Sequence, residues 1–165
     1  MRNSLTKRPK KREGQSPMDA ALSFLTARAR TRREVERHLD ACYFGEVEVM
    51  ETVDRLEELG LVDDAAFCRD FVASRLRSKP ISRLHLKEQL LHHEADRDAV
   101  DAALAEIDNA AERSNADEVA KKYARQFERL DPEEKWRRIE ARLISRGFDY
   151  DTAGAAARAA AEAEE

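Results

Sequence analysis

Apolar residues recur along this chain at spacings of three and four positions, and charged residues fill the positions between them. That pattern is typical of amphipathic helices that bury one face and expose the other to water. It is interrupted by helix-end signals, chiefly capping residues, prolines and single glycines. The chain is therefore predicted to be all-α, with its helices grouped in threes.

The stretch Asp54–Arg75 contains the densest set of these end signals. Gly60 follows the last periodic residue of one helix and suits the left-handed position after a helix. Leu56 and Leu61 then have the spacing of the contact in a Schellman turn, and Asp63 caps the next helix. These signals predict a fixed angle between two helices, at the point where one three-helix unit passes to the next.

Turn signals divide the chain into a tail and three units. The predicted boundaries are 1–16 for a disordered basic tail, 17–62 for the first three-helix repeat, 63–113 for the second and 114–165 for the third. The first helix is expected to end near Ala29, and Ser114 or Asn115 is expected to open the third unit. The last helix, about 150–163, is nearly all alanine, so we expect it to dock weakly and to fray.

Equivalent apolar pairs mark the middle helix of each unit. The period is 51 residues and then 53, and the pairs are Val35 and Leu39, Leu86 and Leu90, and Ile139 and Leu143. Fourteen residues after each pair comes a further apolar position, occupied by Val53, Leu104 and Ala157. Units of this size do not readily bury their own faces, so the three are predicted to stack into an elongated, curved helical array. Such an array presents a long concave surface, which suits an extended partner.

Composition favours a soluble helical protein. Of the 165 residues, 42% are apolar and 39% are charged, with five glycines and four prolines. No segment is apolar enough to span a bilayer, and no signal core follows the basic start, so we expect a cytoplasmic protein with no membrane partner. Cys42 and Cys68 are then expected to be reduced core residues. The highly charged helices favour a monomer.

Charge is unevenly distributed along the chain. Residues 1–17 contain six basic residues and Glu13, a net charge of +5, so that with −4 overall the remainder carries −9. The tail either only keeps the protein soluble or attracts phosphate weakly. No aromatic residue lies between its charges to stack on bases.

The sequence contains no pattern of a known catalytic site. It lacks a phosphate-binding G-x-x-x-x-G-K-[ST] loop, and its glycines stand singly at helix ends. His85, His92 and His93, with the distant His38, match no zinc-binding spacing. We therefore predict no enzyme activity, no metal and no cofactor.

Basic residues cluster at two equivalent turns. The first cluster is Arg28, Arg30, Arg32 and Arg33, and the second is Arg75, Arg77, Lys79, Arg83 and Lys87. If the units stack, these side chains form a basic stripe that binds phosphates or carboxylates. The alternative is solvated charge that balances nearby acidic residues such as Glu34, Glu36 and Asp70. Trp136 takes the equivalent place in the third unit and is expected to cover the alanine-rich helix.

Several of these motifs together resemble the signature of the RecX family. They are Gly60-Leu-Val-Asp-Asp-Ala-Ala-Phe67 followed by Phe71, Val72 and Arg75, then Ala21-Leu22 with Arg28, Thr31 and Glu34, and Leu143-Ile-Ser-Arg-Gly-Phe148. The resemblance covers about residues 18–160. It implies a small cytoplasmic regulator that lies in the helical groove of the RecA recombinase filament on single-stranded DNA, inhibiting ATP hydrolysis and strand exchange. It also implies weak binding to DNA, as some family members show.

Two turns depart from the family pattern, in which Lys-Gly ends the middle helix. The first unit has Ala41-Cys42-Tyr43 there, and the second has His92-His93-Glu94. The residues that the resemblance suggests as contacts to recombinase or single-stranded DNA are Arg28, Arg30, Arg75, Arg77 and Lys79.

Two other functions remain open on the sequence alone. Three-helix units with arginines at their turns also fit a helix-turn-helix-like regulator that binds duplex DNA. The other alternative is a plain helical scaffold, in which the charged surface residues contact only water.

Overall fold

A computed structural model describes residues 14–163, and these residues form nine helices in three units. The first unit contains α1 (Pro17–Leu25), α2 (Arg32–Ala41) and α3 (Glu46–Glu58). The second contains α4 (Asp64–Ser78), α5 (Arg83–His92) and α6 (Arg97–Ala105), and the third contains α7 (Asn109–Gln126), α8 (Pro132–Ser145) and α9 (Tyr150–Glu162). The predicted all-α array of three-helix repeats is confirmed.

Short polar side chains start most helices where the sequence predicts. Ser16 and Thr31 form capping boxes at the starts of α1 and α2, and Asp63 caps α4. Such caps matter because the first N–H groups of a helix have no partner within it. The predicted end of α1 is wrong, since the helix stops at Leu25 rather than near Ala29.

The predicted start of α7 is also wrong. The helix begins at Asn109, not at Ser114 or Asn115, because Asp108 provides the cap. The Asp108 carboxylate accepts a hydrogen bond from the backbone N–H of Ala111 at 2.7 Å. Aspartate is a strong N-cap residue, so helix formation begins at the earlier site.

The turn around Gly60 has the predicted Schellman geometry. Gly60 has φ of 68°, in the left-handed region that favours glycine. The backbone N–H of Leu61 donates to the carbonyl of Leu56 at 2.9 Å, and that of Gly60 donates to Glu57 at 2.9 Å. The Leu61 side chain is half exposed. The chain passes here from the core of the first unit into that of the second.

The buried apolar residues form three separate clusters, one in each unit. The positions that the repeat identifies are all buried, namely Val35, Leu39, Val53, Leu86, Leu90, Leu104, Ile139, Leu143 and Ala157. Helices pack mainly on other helices of their own unit. The expectation that a unit does not bury its own faces is wrong, since each has its own core, and the units are joined by a small number of specific contacts.

The alanine-rich α9 packs closely on α7 and α8. Four of its alanines are buried, which are Ala153, Ala156, Ala157 and Ala160. Their small side chains allow close approach, although each buries little area. Trp136 of α8 is half-buried against the same core, as predicted, with the guanidinium of Arg158 from α9 5.5 Å from its ring centroid. The strength of α9 docking stays a prediction.

The predicted basic tail lies outside the described residues, apart from its last three positions. Of these, Ser16 is the cap of α1. Within residues 14–163, no helix is both long and apolar enough to cross a membrane.

Candidate functional site

The units are joined by the same hydrogen bond at both junctions, which we call joint 1–2 and joint 2–3. At joint 1–2 the Thr31 hydroxyl donates to the carbonyl oxygen of His93 at 2.7 Å. At joint 2–3 the Ser82 hydroxyl donates to the carbonyl oxygen of Arg146 at 2.6 Å. Each hydroxyl also caps its own helix, and both residues are fully buried. The start of one middle helix is thus fixed to the end of the next.

Charged groups surround the bond at joint 1–2. Glu34 pairs with Arg28 at 2.8 Å, and its Oε1 lies 3.0 Å from Nδ1 of His93. Burial opposes ionisation of Glu34, but its hydrogen bonds from Arg28, His93 and the Thr31 backbone hold its pKa below the ordinary value. Across the same joint, Asp64 accepts from the backbone N–H groups of Arg32 and Asp96, both at 2.8 Å.

At joint 2–3 the buried carboxylate of Glu112 has the role that Asp64 has at joint 1–2. The backbone N–H of Arg83 donates to both oxygens of Glu112 at 3.1 Å. Burial raises the pKa of Glu112, and the contact with Arg83 only partly opposes this effect. The Arg83 guanidinium also donates to the carbonyl of Ile107 and to the side chain of Asn109. Arg83 is therefore a structural residue of this joint.

A left-handed residue follows each middle helix, at Tyr43, Glu94 and Gly147, with φ of 65°, 54° and 84°. A Cβ atom at Gly147 would lie 2.8 Å from Oγ of Ser82, so glycine is required at joint 2–3. Glu94 uses its side chain to pair with Arg37 at 2.6 Å across joint 1–2. Tyr43 follows the middle helix of the first unit, and its side chain is 76% exposed.

Most of the predicted basic stripe is engaged in ion pairs within the protein. Arg32 pairs with Glu36, Asp54 and Glu57, and these partners raise its pKa, Asp54 most of all. The other carboxylate pairs are Arg28 with Glu34, Arg33 with Glu36, Arg83 with Glu112 and Lys87 with Asp101. A binding partner must therefore compete with these carboxylates for the cations.

The remaining predicted residues have no carboxylate partner in the part of the chain that the structure describes. Arg30 stacks on Phe24 with 4.0 Å between guanidinium carbon and ring centroid, and Arg75 lies 4.9 Å over Phe71. Arg77 and Lys79 are exposed at the end of α4. A continuous stripe across both turns stays a prediction, as does the role of each of its residues.

The histidines are spread over the molecule, although the rings of the adjacent His92 and His93 lie 6.3 Å apart edge-on. His38 stacks on Phe24 with ring centroids 4.0 Å apart, and His85 lies 3.6 Å from Glu88. His93 belongs to joint 1–2 and contacts the rings of Phe67 and Phe71 edge-on. Both cysteines are buried in the core, as predicted, and burial raises the pKa of the Cys68 thiol to about 11.

A basic groove at joint 2–3 was not predicted from the sequence. Its volume is about 340 Å³, and its lining includes the cations Lys79, Lys121, Lys122, Arg125 and Arg146. The cluster Lys121-Lys122-x-x-Arg125 was visible in the sequence as a basic turn of one helix. Its proximity to Lys79 and Arg146 depends on the stacking of the second and third units.

Three three-helix units joined end to end define a helical repeat protein. Residues 18–56 match the family model described as the first three-helix domain of RecX, and residues 111–156 match the model of its third three-helix domain. The chain belongs to the RecX family of regulatory proteins.

Curated relatives support this assignment, and a solved structure shares the fold. The chain is 33% identical to the regulatory protein RecX of Chlorobium phaeobacteroides over 131 residues, 79% of this chain and 84% of that protein. It is 35% identical to that of Mycolicibacterium smegmatis over 150 residues, 88% of this chain and 79% of the relative. The fold is similar to the crystal structure of RecX from Lactobacillus salivarius, with a TM-score of 0.81, 23% identity and coverage of 87% and 94% of the two chains.

Proposed function

We propose that this chain regulates a RecA-type recombinase by binding its filament on single-stranded DNA and lowering ATP hydrolysis and strand exchange. The observation that carries this proposal is membership of the RecX family over most of the chain. The partner is the one that the family resemblance implies. The chain acts by binding, as a cytoplasmic monomer, and catalyses no reaction itself.

The repeat architecture suits a partner that is itself repetitive. A recombinase filament presents the same subunit surface at regular intervals, and the three units of this chain present related surfaces in series. Each unit has its own core, and the units are connected through the hydrogen bonds of the two joints. Separate cores keep each unit folded on its own interior, while the joints hold neighbouring units in series.

The cations at the end of α4 are the best candidates for the contact with the filament. Arg75, Arg77 and Lys79 pair with no carboxylate among residues 14–163, whereas Arg28, Arg32 and Arg33 each have one. A cation without a partner loses no internal ion pair when it binds an acidic surface or a phosphate. The proposal therefore assigns the main electrostatic contact to the second unit.

Inhibition follows from differential binding. A ligand shifts a conformational equilibrium only by the difference in its affinities for the two states. A chain that bridges neighbouring recombinase subunits favours the filament geometry that it fits best. If that geometry is poor for ATP hydrolysis, a few bound molecules slow many subunits.

The direct functional test is the single-stranded-DNA-dependent ATPase rate of the cognate recombinase, with this protein added below stoichiometry. We expect a large loss of rate with the wild-type chain and a smaller loss with the triple variant R75E/R77E/K79E. The matched control is R55E/R69E/R97E, which makes the same change in net charge at exposed positions. No loss of rate with the wild-type protein contradicts the function, and equal activity of the two variants contradicts the assigned surface.

A duplex-reading regulator is less well supported by the geometry. In a three-helix unit the third helix is the one that enters a major groove. Here the first turns of these helices carry carboxylates, namely Glu46 and Glu48 on α3, Asp98 on α6 and Asp151 on α9. Negative charge at these positions repels DNA phosphates.

A further inference from the structure

The basic groove at joint 2–3 is built from both units that meet there. Lys79 and Pro80 come from the linker between α4 and α5. Lys121, Lys122 and Arg125 come from one turn of α7, and Arg146 is the C-cap of α8. The groove therefore exists only when the second and third units are stacked.

Hydrogen bonds of the joint hold the two walls of this groove in place. The side-chain amide of Asn115 donates to the carbonyl of Ile81 at 3.3 Å, which fixes the linker to α7. The Ser82 hydroxyl holds the Arg146 backbone, and Nε of Arg146 donates to the hydroxyl oxygen of Tyr123 at 2.9 Å. The Arg146 guanidinium is thus oriented before any ligand arrives, which reduces the entropy lost on binding.

The groove is strongly electropositive on a body that is otherwise acidic. Its described lining contains five cations and one carboxylate, Glu118, which already pairs with Lys121 at 2.9 Å. Lys79, Lys122 and Arg125 are exposed and have no carboxylate partner within residues 14–163. Like charges held this close together repel one another, so an anion that enters the groove relieves this repulsion.

We propose that this groove binds the phosphate backbone of a nucleic acid strand, independently of base sequence. Phosphate oxygens match both the lysine ammonium groups and the fork of Arg146. An acidic protein segment is a poorer match, because protein interfaces depend on apolar anchors that fill pockets. The apolar side chains of the lining, Val119 and Tyr123, are buried and offer no such pocket.

The same lining predicts that bases are not read. Sequence-tolerant single-strand sites stack bases on exposed aromatic rings. The only aromatic ring among the described lining residues is Tyr123, which is buried and stacked on Phe127. Binding is therefore electrostatic, and a ligand in the groove also holds the second and third units together.

This inference goes beyond the proposed regulation of a recombinase, and its test contains no recombinase. Fluorescence anisotropy of a labelled oligothymidylate is measured against the full chain over a series from about 50 to about 200 mM salt. The test variant is K121Q/K122Q/R125Q, and the control R55Q/R69Q/R97Q removes the same charge from residues that do not line the groove. All six positions are exposed, and circular dichroism checks that both variants fold.

We expect the groove variant to bind more weakly than the control and to depend less on salt. Each phosphate contact to a single strand contributes about 0.7 to the slope of log affinity against log salt, so loss of three contacts lowers its magnitude by about 2. Equal affinities and slopes for the two variants overturn the proposal. Unlabelled oligothymidylate and polyglutamate are then compared as competitors, with each concentration counted as negative charge. If polyglutamate displaces the probe at the lower concentration, the proposal is overturned in favour of an acidic protein ligand.

Discussion

At the scale of single residues, three different residue types adopt the same left-handed conformation after the three middle helices. Gly147 is required by contact with Ser82, Glu94 forms a pair across joint 1–2, and Tyr43 is strained and exposed. A non-glycine residue in this conformation costs about 1 kcal/mol or more. The family pattern expected glycine at all three turns, so the two substitutions are departures that the fold tolerates.

The first prediction compares two substitutions at this equivalent position. Gly147→Ala is expected to destabilise the protein by about 2 kcal/mol, because the new Cβ meets Ser82 Oγ and the φ is unfavourable. Tyr43→Gly is expected to stabilise it by about 0.5–1 kcal/mol, because it relieves strain at an exposed site. Urea unfolding measures both changes. A stable Gly147→Ala variant contradicts the close packing at joint 2–3.

The second prediction concerns pH and His38. Burial, with the nearby charge of Arg30, lowers the pKa of His38 below its ordinary value of 6.5. As the pH falls through about 6.5, the unfolded chain takes up this proton before the folded one, so the free energy of unfolding decreases. Above that pH both states are neutral and the effect is absent.

The variant His38→Gln removes this titration. Denaturant midpoints at pH 5.5 and pH 7.5 are expected to differ less for the variant than for the wild type. Comparing each protein with itself cancels the contact that the variant loses with Phe24. The same acid sensitivity in both proteins shows that other groups are responsible.

At the scale of the elements, the joints connect helices through hydroxyl groups that have two roles. Thr31 accepts a hydrogen bond from the Glu34 N–H at 3.2 Å and donates to the His93 carbonyl at 2.7 Å. Ser82 makes the same pair of bonds with His85 and Arg146. The capping role was predictable from local sequence. The acceptor of the Thr31 hydroxyl was not predictable, because it lies 62 residues away.

The third prediction tests this double role with a matched pair of variants. Thr31→Val keeps the shape but removes the hydroxyl, so α2 loses its cap and the His93 carbonyl loses the donor that Thr31 provides. The expected loss is about 2–3 kcal/mol. Thr31→Ser keeps the hydroxyl and is expected to lose less than half as much. Equal losses in thermal or urea unfolding show that packing, and not the hydrogen bond, dominates this joint.

At the scale of the whole molecule, the sequence was sufficient for the repeat and for most helices. The apolar period placed Leu39, Leu90 and Leu143 correctly in three cores, since local spacing determines which face of a helix is buried. Local spacing does not determine the ion-pair partners, because Arg32 pairs with Asp54 and Glu57, which lie 22 and 25 residues away. Only the fold shows which cations are paired, and only the stacking of units forms the groove that contains Arg146.

The central claim is that the array recognises a recombinase filament rather than either of its components. The most direct measurement is binding of the labelled protein to immobilised single-stranded DNA coated with recombinase, to the same DNA uncoated, and to recombinase without DNA. The account predicts the tightest binding to the coated DNA, weak and salt-sensitive binding to uncoated DNA, and weaker binding by R75E/R77E/K79E than by R55E/R69E/R97E. Affinity for coated DNA no greater than for uncoated DNA contradicts the account.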